Sequence, residues 1–143
     1  SQCAGLMIGV SPWSVLNFTF EGCLADLQDP AVLVHGVLDE QRNVVGFIAT
    51  MAKGVAFEPL IEYICVSQDS QGAGLGTTML LFAENSLFSK AKNIYMFVSD
   101  INPNAERLYA RLGYLRIGVL PDYNLRGQTE YLLRKSRGPL RSS

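Results

Sequence analysis

Gln71-Gly72-Ala73-Gly74-Leu75-Gly76-Thr77 is the stretch of this 143-residue chain whose residue types and spacing most directly suggest chemistry. Three glycines at alternate positions let the backbone approach a ligand closely and adopt angles that a side chain forbids. The stretch stands between an apolar run at 60–66 and a helical pattern at 77–91. Its N–H groups therefore fall at a helix start, where the macrodipole is positive, which is the geometry of a phosphate cradle. The competing reading is a plain turn before a helix, but three spaced glycines exceed what a turn needs. Two familiar cradles do not fit. Thr77, five residues after Gly72, lacks the preceding Lys of a P-loop, and the third glycine comes one residue early for G-x-G-x-x-G.

Other reactive side chains are few. A single histidine, His35, leaves no Ser/His/Asp or Cys/His arrangement to build, and reads as a packed or edge residue of a strand. Cys3, Cys23 and Cys65 form no close-spaced pair and, with His35, no zinc pattern. Cys65 could be drawn as a covalent acyl carrier. With no basic neighbour in a strand sequence, it reads instead as a small hydrophobe. Glu62 stands between apolar Ile61 and Ile64, where burial would push a carboxyl toward neutral pH and make it a general base; an exposed strand carboxylate is the equal alternative. Trp13 and Phe18 could line an acceptor site or simply pack.

The elements that must position these residues follow from periodicity. Residues 6–27 carry apolar residues at three- and four-residue steps (Leu16, Phe20, Leu24, Leu27) and predict one or two helices, with Ser11-Pro12 as a turn or helix start. Residues 31–38 and 44–51 predict a hairpin about the polar turn 39–43. Residues 60–66 form a nearly unbroken apolar run, as in a central strand. A helix at 77–91, a strand at 93–98 and a short helix at 104–112 follow, the last stopped by Gly113 in a left-handed conformation. Two strands, 114–120 and 129–134, end the domain. The order predicts a single α/β (α+β) domain over residues 1–143 with a largely antiparallel sheet and one strand–loop–helix–strand crossover.

Composition excludes several classes of function. Hydrophobic residues make up 48% and charged residues 17% of the chain, so it folds around a core. A net charge of −1 argues against nucleic-acid binding, and no apolar run reaches the ~18 residues of a membrane span. Sparse, unpaired cysteines fit a reducing, cytoplasmic setting. The start lacks the basic region of a secretory signal and begins with Ser, which suggests a trimmed or processed terminus. The charge is uneven: eight acids and two bases in residues 1–70 give −6, and five acids and ten bases in 71–143 give +5. This predicts a basic half that holds an anionic cofactor and an acidic half that faces a cationic substrate, against the plainer reading of chance and a solvated basic tail.

The loop fits the pattern Q/R-x-x-G-x-G/A, and Asn102, Ala105, Leu108, Tyr109, Gly113 and Tyr114 fit N-x-x-A-x-x-L-Y-x-x-x-G-F/Y one helix and one strand later. Together they resemble the GNAT acetyltransferase superfamily over about residues 31–135, and Pro12-Trp13-Ser14 is similar to a segment of ribosomal-protein alanine N-acetyltransferases. The resemblance implies a mixed sheet with helices on both faces and a first strand that is missing or short here. It implies acetyl-CoA as cofactor, with Ile64, Cys65 and Val66 against the pantetheine in a gap between 60–66 and 93–98. Gln71, Gly72, Ala73, Gly74, Leu75, Gly76 and Thr77 would face the pyrophosphate, and Asn102, Asn104, Ala105, Leu108 and Tyr109 would complete the cofactor site. Tyr109 matches the family's tyrosine near the thioester sulfur, whose phenol can protonate the leaving thiolate; packing alone is the other reading of it. The alanine acetyltransferases carry a glutamate where this chain has Phe97, which leaves Glu62 or a water chain as the base. The implied activity is acetyl transfer to a primary amine, small-molecule or peptidyl, by direct attack on the thioester, and the charge division makes a cationic amine a candidate acceptor. No nucleic-acid or membrane partner is expected, and a homodimer is compatible with the reading. The alternative is a non-catalytic acyl-CoA-binding module.

Overall fold

Two short helices open the described part of the chain, residues 2–141 of this computed structural model. They are α1 (Gln2–Ile8) and α2 (Phe20–Gln28), and the second is capped by Thr19, whose Oγ1 accepts from the Gly22 N–H at 3.1 Å. Leu16, assigned by its spacing to a helix, is buried in the turn segment between them, after a cis Ser11-Pro12 bond. Strands β1 (Val32–Leu38) and β2 (Val44–Val55) form the expected hairpin. Its turn is fixed by Asp39 Oδ1, which accepts from the Asn43 N–H at 2.8 Å. β3 (Glu58–Val66) follows, then a 3-10 turn (Gln68–Ser70) and α3 (Leu75–Leu87). The helix starts two residues before its expected position and stops four short of 91, where Ser89 Oγ donates to the Ser86 carbonyl at 2.6 Å. β4 (Asn93–Ser99), α4 (Pro103–Arg111), β5 (Leu115–Pro121) and β6 (Thr129–Ser136) complete the chain, with Gly113 at φ +102 ending α4 as predicted.

The six strands lie in the order β1-β2-β3-β4-β6-β5, all antiparallel except β3 against β4. No strand precedes β1 among the described residues. Strand alternation divides the core in two. On one face Ile48, Ile61, Ile94, Met96, Val98 and Leu133 pack under α3, with Ala105 and Tyr109 of α4 against them. On the other, Phe47, Ala49 and Cys65 pack under α1 and α2. The two layers hold the sheet between them and leave its centre open to both sides.

A buried carboxylate ties the α3 layer to the far edge of the sheet. Glu84 is 3% exposed and accepts from the Tyr114 hydroxyl at 2.7 Å and from Lys135 Nζ at 2.8 Å. Removing one partner of a buried pair costs about 3–5 kcal/mol, and the part-exposure of Lys135 lowers the expected figure. Lys135→Met is expected to lower the unfolding free energy by about 2–3 kcal/mol, read as a lower urea midpoint at unchanged slope. Glu106→Ala, which removes the surface pair with Arg116, is expected to cost under about 1 kcal/mol in the same assay.

Candidate active site

The site begins where β3 and β4 part. They are in register at only two pairs, Leu60 with Tyr95 and Ile61 with Met96, and then diverge. β2 pairs with β3 as far as Val66, and β6 pairs with β4 as far as Ser99, so each strand keeps its outer partner. The gap opens into a cleft of about 920 Å³ that runs between the two faces of the sheet.

Backbone direction decides which residues of β3 face the gap. The Ser67 N–H donates to the Val45 carbonyl, so the ladder to β2 uses the N–H and C=O of Ser67 and, by alternation, of Cys65. The corresponding groups of Ile64 and Val66 point toward β4. Gln71 Nε2 donates to the Val66 carbonyl at 3.1 Å, which anchors the glycine loop to the end of the strand. Cys65 is not brought to the gap by either route. Its side chain is 1% exposed in the α1–α2 layer, and burial pushes its thiol up to about 12, which removes it as a nucleophile.

The glycine loop is an open cradle. Gly72 and Gly74 sit at φ +85 and +80, and nothing stands within 4 Å of where a Cβ would lie at either. Gly74 is the N-cap of α3 and offers no side chain to the helix start. The first intrahelical bond is donated by the Thr78 N–H, so the N–H groups of Leu75, Gly76 and Thr77 have no acceptor within the helix. Three convergent donors at a positive helix end suit an anionic diphosphate. Gln71, Gly72, Gly74, Leu75, Gly76 and Thr77 all line the cleft, whereas Ala73 does not. Asn102, Asn104, Ala105, Leu108 and Tyr109 line it from α4 and the turn before it.

Tyr109 stands against the core, edge-on to Tyr114 with ring centroids 6.5 Å apart. Burial pushes its phenol up to about 12, and its hydroxyl has no hydrogen-bond partner among the described residues. Glu62 enters from the other face. Ala49 pairs with Tyr63 and Thr50 with Ile61, so Glu62 is the extra residue of a β-bulge, which turns it out of the regular alternation. It lines the cleft, and its buried Oε2 has no hydrogen-bond partner. Burial, followed by the charges of Asp26 and Asp29 on the α2 side, raises its carboxyl above the ordinary glutamate range. Asp26 also accepts from the Tyr63 hydroxyl at 2.9 Å, and Trp13 packs edge-on to the Tyr63 ring. Trp13 and Phe18 both pack in this layer and line the cleft.

The expected division of charge does not map onto the cleft. Of the ten bases of the second half only Arg111 lines it, while Arg116 and Lys135 are engaged with Glu106 and Glu84. Sequence reasoning placed Phe97 only as an absent glutamate, pointed to the 121–127 loop that holds Tyr123 and Asn124 without reading any residue of it, and passed over Glu130; all four line the cleft. For Phe97 and Glu130 the signal is a register: Ser99 opposite Glu130 and Phe97 opposite Leu132 put both on the face of Glu62.

No helix among the described residues is long and apolar enough to cross a membrane, and none of their side chains form a metal-binding cluster. None of the curated proteins matches this sequence. Among solved structures, an aminoglycoside 6'-N-acetyltransferase complexed with coenzyme A superposes with TM-score 0.77 at 18% identity, covering 99% of this chain and 92% of its own. The aminoglycoside 6'-N-acetyltransferase from Enterococcus faecium gives TM-score 0.75 at 18% identity, with the same 99% and 92% coverage. A spermidine N-acetyltransferase from Vibrio cholerae gives 0.65 at 23% identity over 83% of this chain and 76% of its own. These likenesses establish the fold. Residues 10–114, which hold both the glycine cradle and the α4 block, match the model of the acetyltransferase (GNAT) family, so the chain belongs to that family, whose acyl donor is acetyl-CoA.

Proposed function

We propose that the protein transfers an acetyl group to a primary amine that enters the cleft from the α1–α2 face. One observation carries the reading: the gap joins the glycine cradle and Tyr109 on one face of the sheet to the bulged Glu62 on the other. Acetyl-CoA supplies the acyl thioester. The N–H groups of Leu75, Gly76 and Thr77 and the open backbone of Gly72 and Gly74 hold its diphosphate. The Ile64 and Val66 backbone groups that face the gap bind and orient the arm that reaches the thioester, and an N–H there can polarise the acyl carbonyl.

Two side chains manage the protons. An alkyl ammonium must lose a proton before its nitrogen can attack. Glu62 Oε2 lines the cleft with no hydrogen-bond partner, and burial raises its carboxyl above the ordinary glutamate range, which makes it a stronger proton acceptor. The departing sulfur must gain a proton, and the Tyr109 hydroxyl remains protonated throughout the neutral range. The acceptor side presents Glu62 and Glu130, and the one base among the described cleft-lining residues, Arg111, comes from α4 on the other face, a field that favours a cationic amine.

Acetyl-CoA at ~100 times its dissociation constant is expected to add ~2.7 kcal/mol of stability and to raise the melting midpoint by roughly 5–10 °C. Gly74→Glu is expected to stay folded, since the strain of a side chain at φ +80 is about 1–2 kcal/mol, and to weaken CoA binding at least ~100-fold in calorimetry. Wild-type affinity in that variant would place the cofactor elsewhere. Tyr109→Phe should retain CoA affinity while kcat falls ~10²–10⁴-fold. Because Glu62 works deprotonated, the rate should fall as pH drops through its raised pKa. In Glu62→Gln that acid limb should vanish and the rate at neutral pH should be low. Binding of acetyl-CoA with no amine-dependent release of CoA would overturn the transfer reading and leave the acyl-CoA-binding module.

A further inference from the structure

The cleft holds a second carboxylate that the proton transfers above do not use. Glu130 on β6 is 9% exposed and lines the cleft. Its Oε2 accepts from Gln128 Nε2 at 2.7 Å and from Asn124 Nδ2 at 3.3 Å. Gln128 is itself 6% exposed and also donates to Ser99 Oγ at 3.1 Å and to the Thr129 carbonyl at 2.7 Å, so the carboxylate is held from behind by a fixed amide. Its Oε1 has no hydrogen-bond partner among the described residues, and no base pairs with it.

A buried carboxylate with amide donors on one oxygen and nothing on the other lacks a counter-charge. The surroundings make the need greater. Burial raises the Glu130 carboxyl above the ordinary range and nearby Asp100 adds to this, against the lowering by the Gln128 and Asn124 amides; the Asp100 Oδ1 is itself buried with no partner. Beside Glu130 the rings of Phe97 and Tyr123 stack with centroids 5.8 Å apart and planes 18° apart, and both line the cleft. Aromatic faces next to a carboxylate attract an ammonium and reject an anion.

Glu130 is also set apart from Glu62. Extending the β3–β4 register by one residue brings Glu62 level with Phe97, while Glu130 lies opposite Ser99, two residues further along and one strand beyond. At sheet spacings their Cα atoms would stand roughly 12 Å apart, and the parting of β3 from β4 widens this, so two carboxylates that rise from the same sheet face meet different points of the cleft.

We infer that the acceptor carries a second cationic group, which Glu130 and the Phe97–Tyr123 pair hold while Glu62 receives the reacting amine. The site thus selects an elongated diamine or polyamine over a monoamine. The inference rests on the acetyl-transfer reading given above and names its substrate class.

The full chain is assayed for CoA release with acetyl-CoA, a series of α,ω-diamines and a linear triamine, each against the n-alkyl monoamine of matched length. The wild type is expected to favour the best diamine or triamine at least ~10-fold in kcat/KM at low salt, an advantage that shrinks as salt rises. In Glu130→Gln, which keeps the shape of the side chain, this preference should collapse to within ~3-fold through a higher KM for the diamine, with partial recovery in Glu130→Asp. An undiminished acetyl-CoA melting shift in each variant reports an intact fold. Tyr123→Ala, at a loop position 56% exposed, gives a second route should Glu130→Gln not fold, and should lower the preference ~2–5-fold. Equal kcat/KM for matched monoamines and diamines, or a preference that survives in Glu130→Gln, would overturn the inference and leave acetyl transfer standing. Absence of CoA release with every amine would instead sink the transfer reading itself.

Discussion

Everything at the site depends on a hydrogen-bond ladder that stops early. β3 and β4 are parallel neighbours in the middle of a sheet, yet they pair at only two positions before separating. Unpaired backbone groups in a protein interior are costly, and a continuous sheet would satisfy them. The structure restrains the cost by keeping both halves intact on their outer sides, with β2 on β3 and β6 on β4 throughout. It recovers one carbonyl, that of Val66, through the Gln71 amide. The halves cannot close because each is held by the same helix layer: Leu80 and Met79 of α3 pack in one cluster with Ile48 and Ile61 from one half and with Met96 and Leu133 from the other. The open ladder is a stable feature of the core, and its unpaired groups are available to a ligand that lies in the gap as a surrogate strand.

The gap also separates two electrostatic environments. On the α3 side the exposed N–H groups of Leu75, Gly76 and Thr77 provide positive potential with no cationic side chain among them. On the α1–α2 side Glu62 and Glu130 provide negative potential. Neither follows from the charge of the two halves of the sequence. Glu130 belongs to the basic half, and three of that half's bases serve other purposes: Lys135 neutralises Glu84, Arg116 pairs with Glu106 and lies 3.6 Å over the Tyr131 ring, and Arg137 covers Phe88. A helix terminus binds diphosphate through dipoles fixed by the backbone, and so has no need of the basic residues that a charge count searches for.

What was legible in the sequence is what the chain encodes locally. The alternate glycines and the α4 block announce themselves because each depends on spacing within a few residues, and the hairpin, the crossover and the Gly113 stop follow from the same short-range rules. What was not legible depends on pairing between distant residues. Ile64, Cys65 and Val66 are equivalent as a run of apolar residues, and only the bond from the Ser67 N–H to the Val45 carbonyl shows that Cys65 faces β2 while its neighbours face the gap. Glu62 could be named from its apolar neighbours as a candidate base, but only the shift between Ala49 and Thr50 shows that it bulges. Glu130 carries no motif at all. Its place follows from its position opposite Ser99 and from the amides of Gln128 and Asn124, which lie in a loop whose sequence has no readable chemistry.

The same desolvation serves opposite ends in the two residues proposed to move protons. Removing water disfavours the charged form of any acid, so it raises both the Tyr109 phenol and the Glu62 carboxyl. For a general acid the neutral form is the working form. A higher pKa keeps Tyr109 protonated, although it also makes the proton harder to give up. Delivery to sulfur therefore requires an acceptor basic enough to take it, and a thiolate formed in a water-poor gap is more basic than one in bulk water. For a general base the charged form is the working form, and a higher pKa makes Glu62 a stronger acceptor at the cost of a smaller ionised fraction. The two are kept apart by the sheet: Tyr109 packs against the α3-side core with no charged partner, while Glu62 stands on the α2 side near the charges of Asp26 and Asp29. In the proposed mechanism a cationic amine beside Glu62 would counteract the rise of its pKa by its own charge, so the proposed base would be most fully ionised with such an acceptor bound. The acceptor that the acidic face attracts is thus also the one that readies the site to deprotonate it.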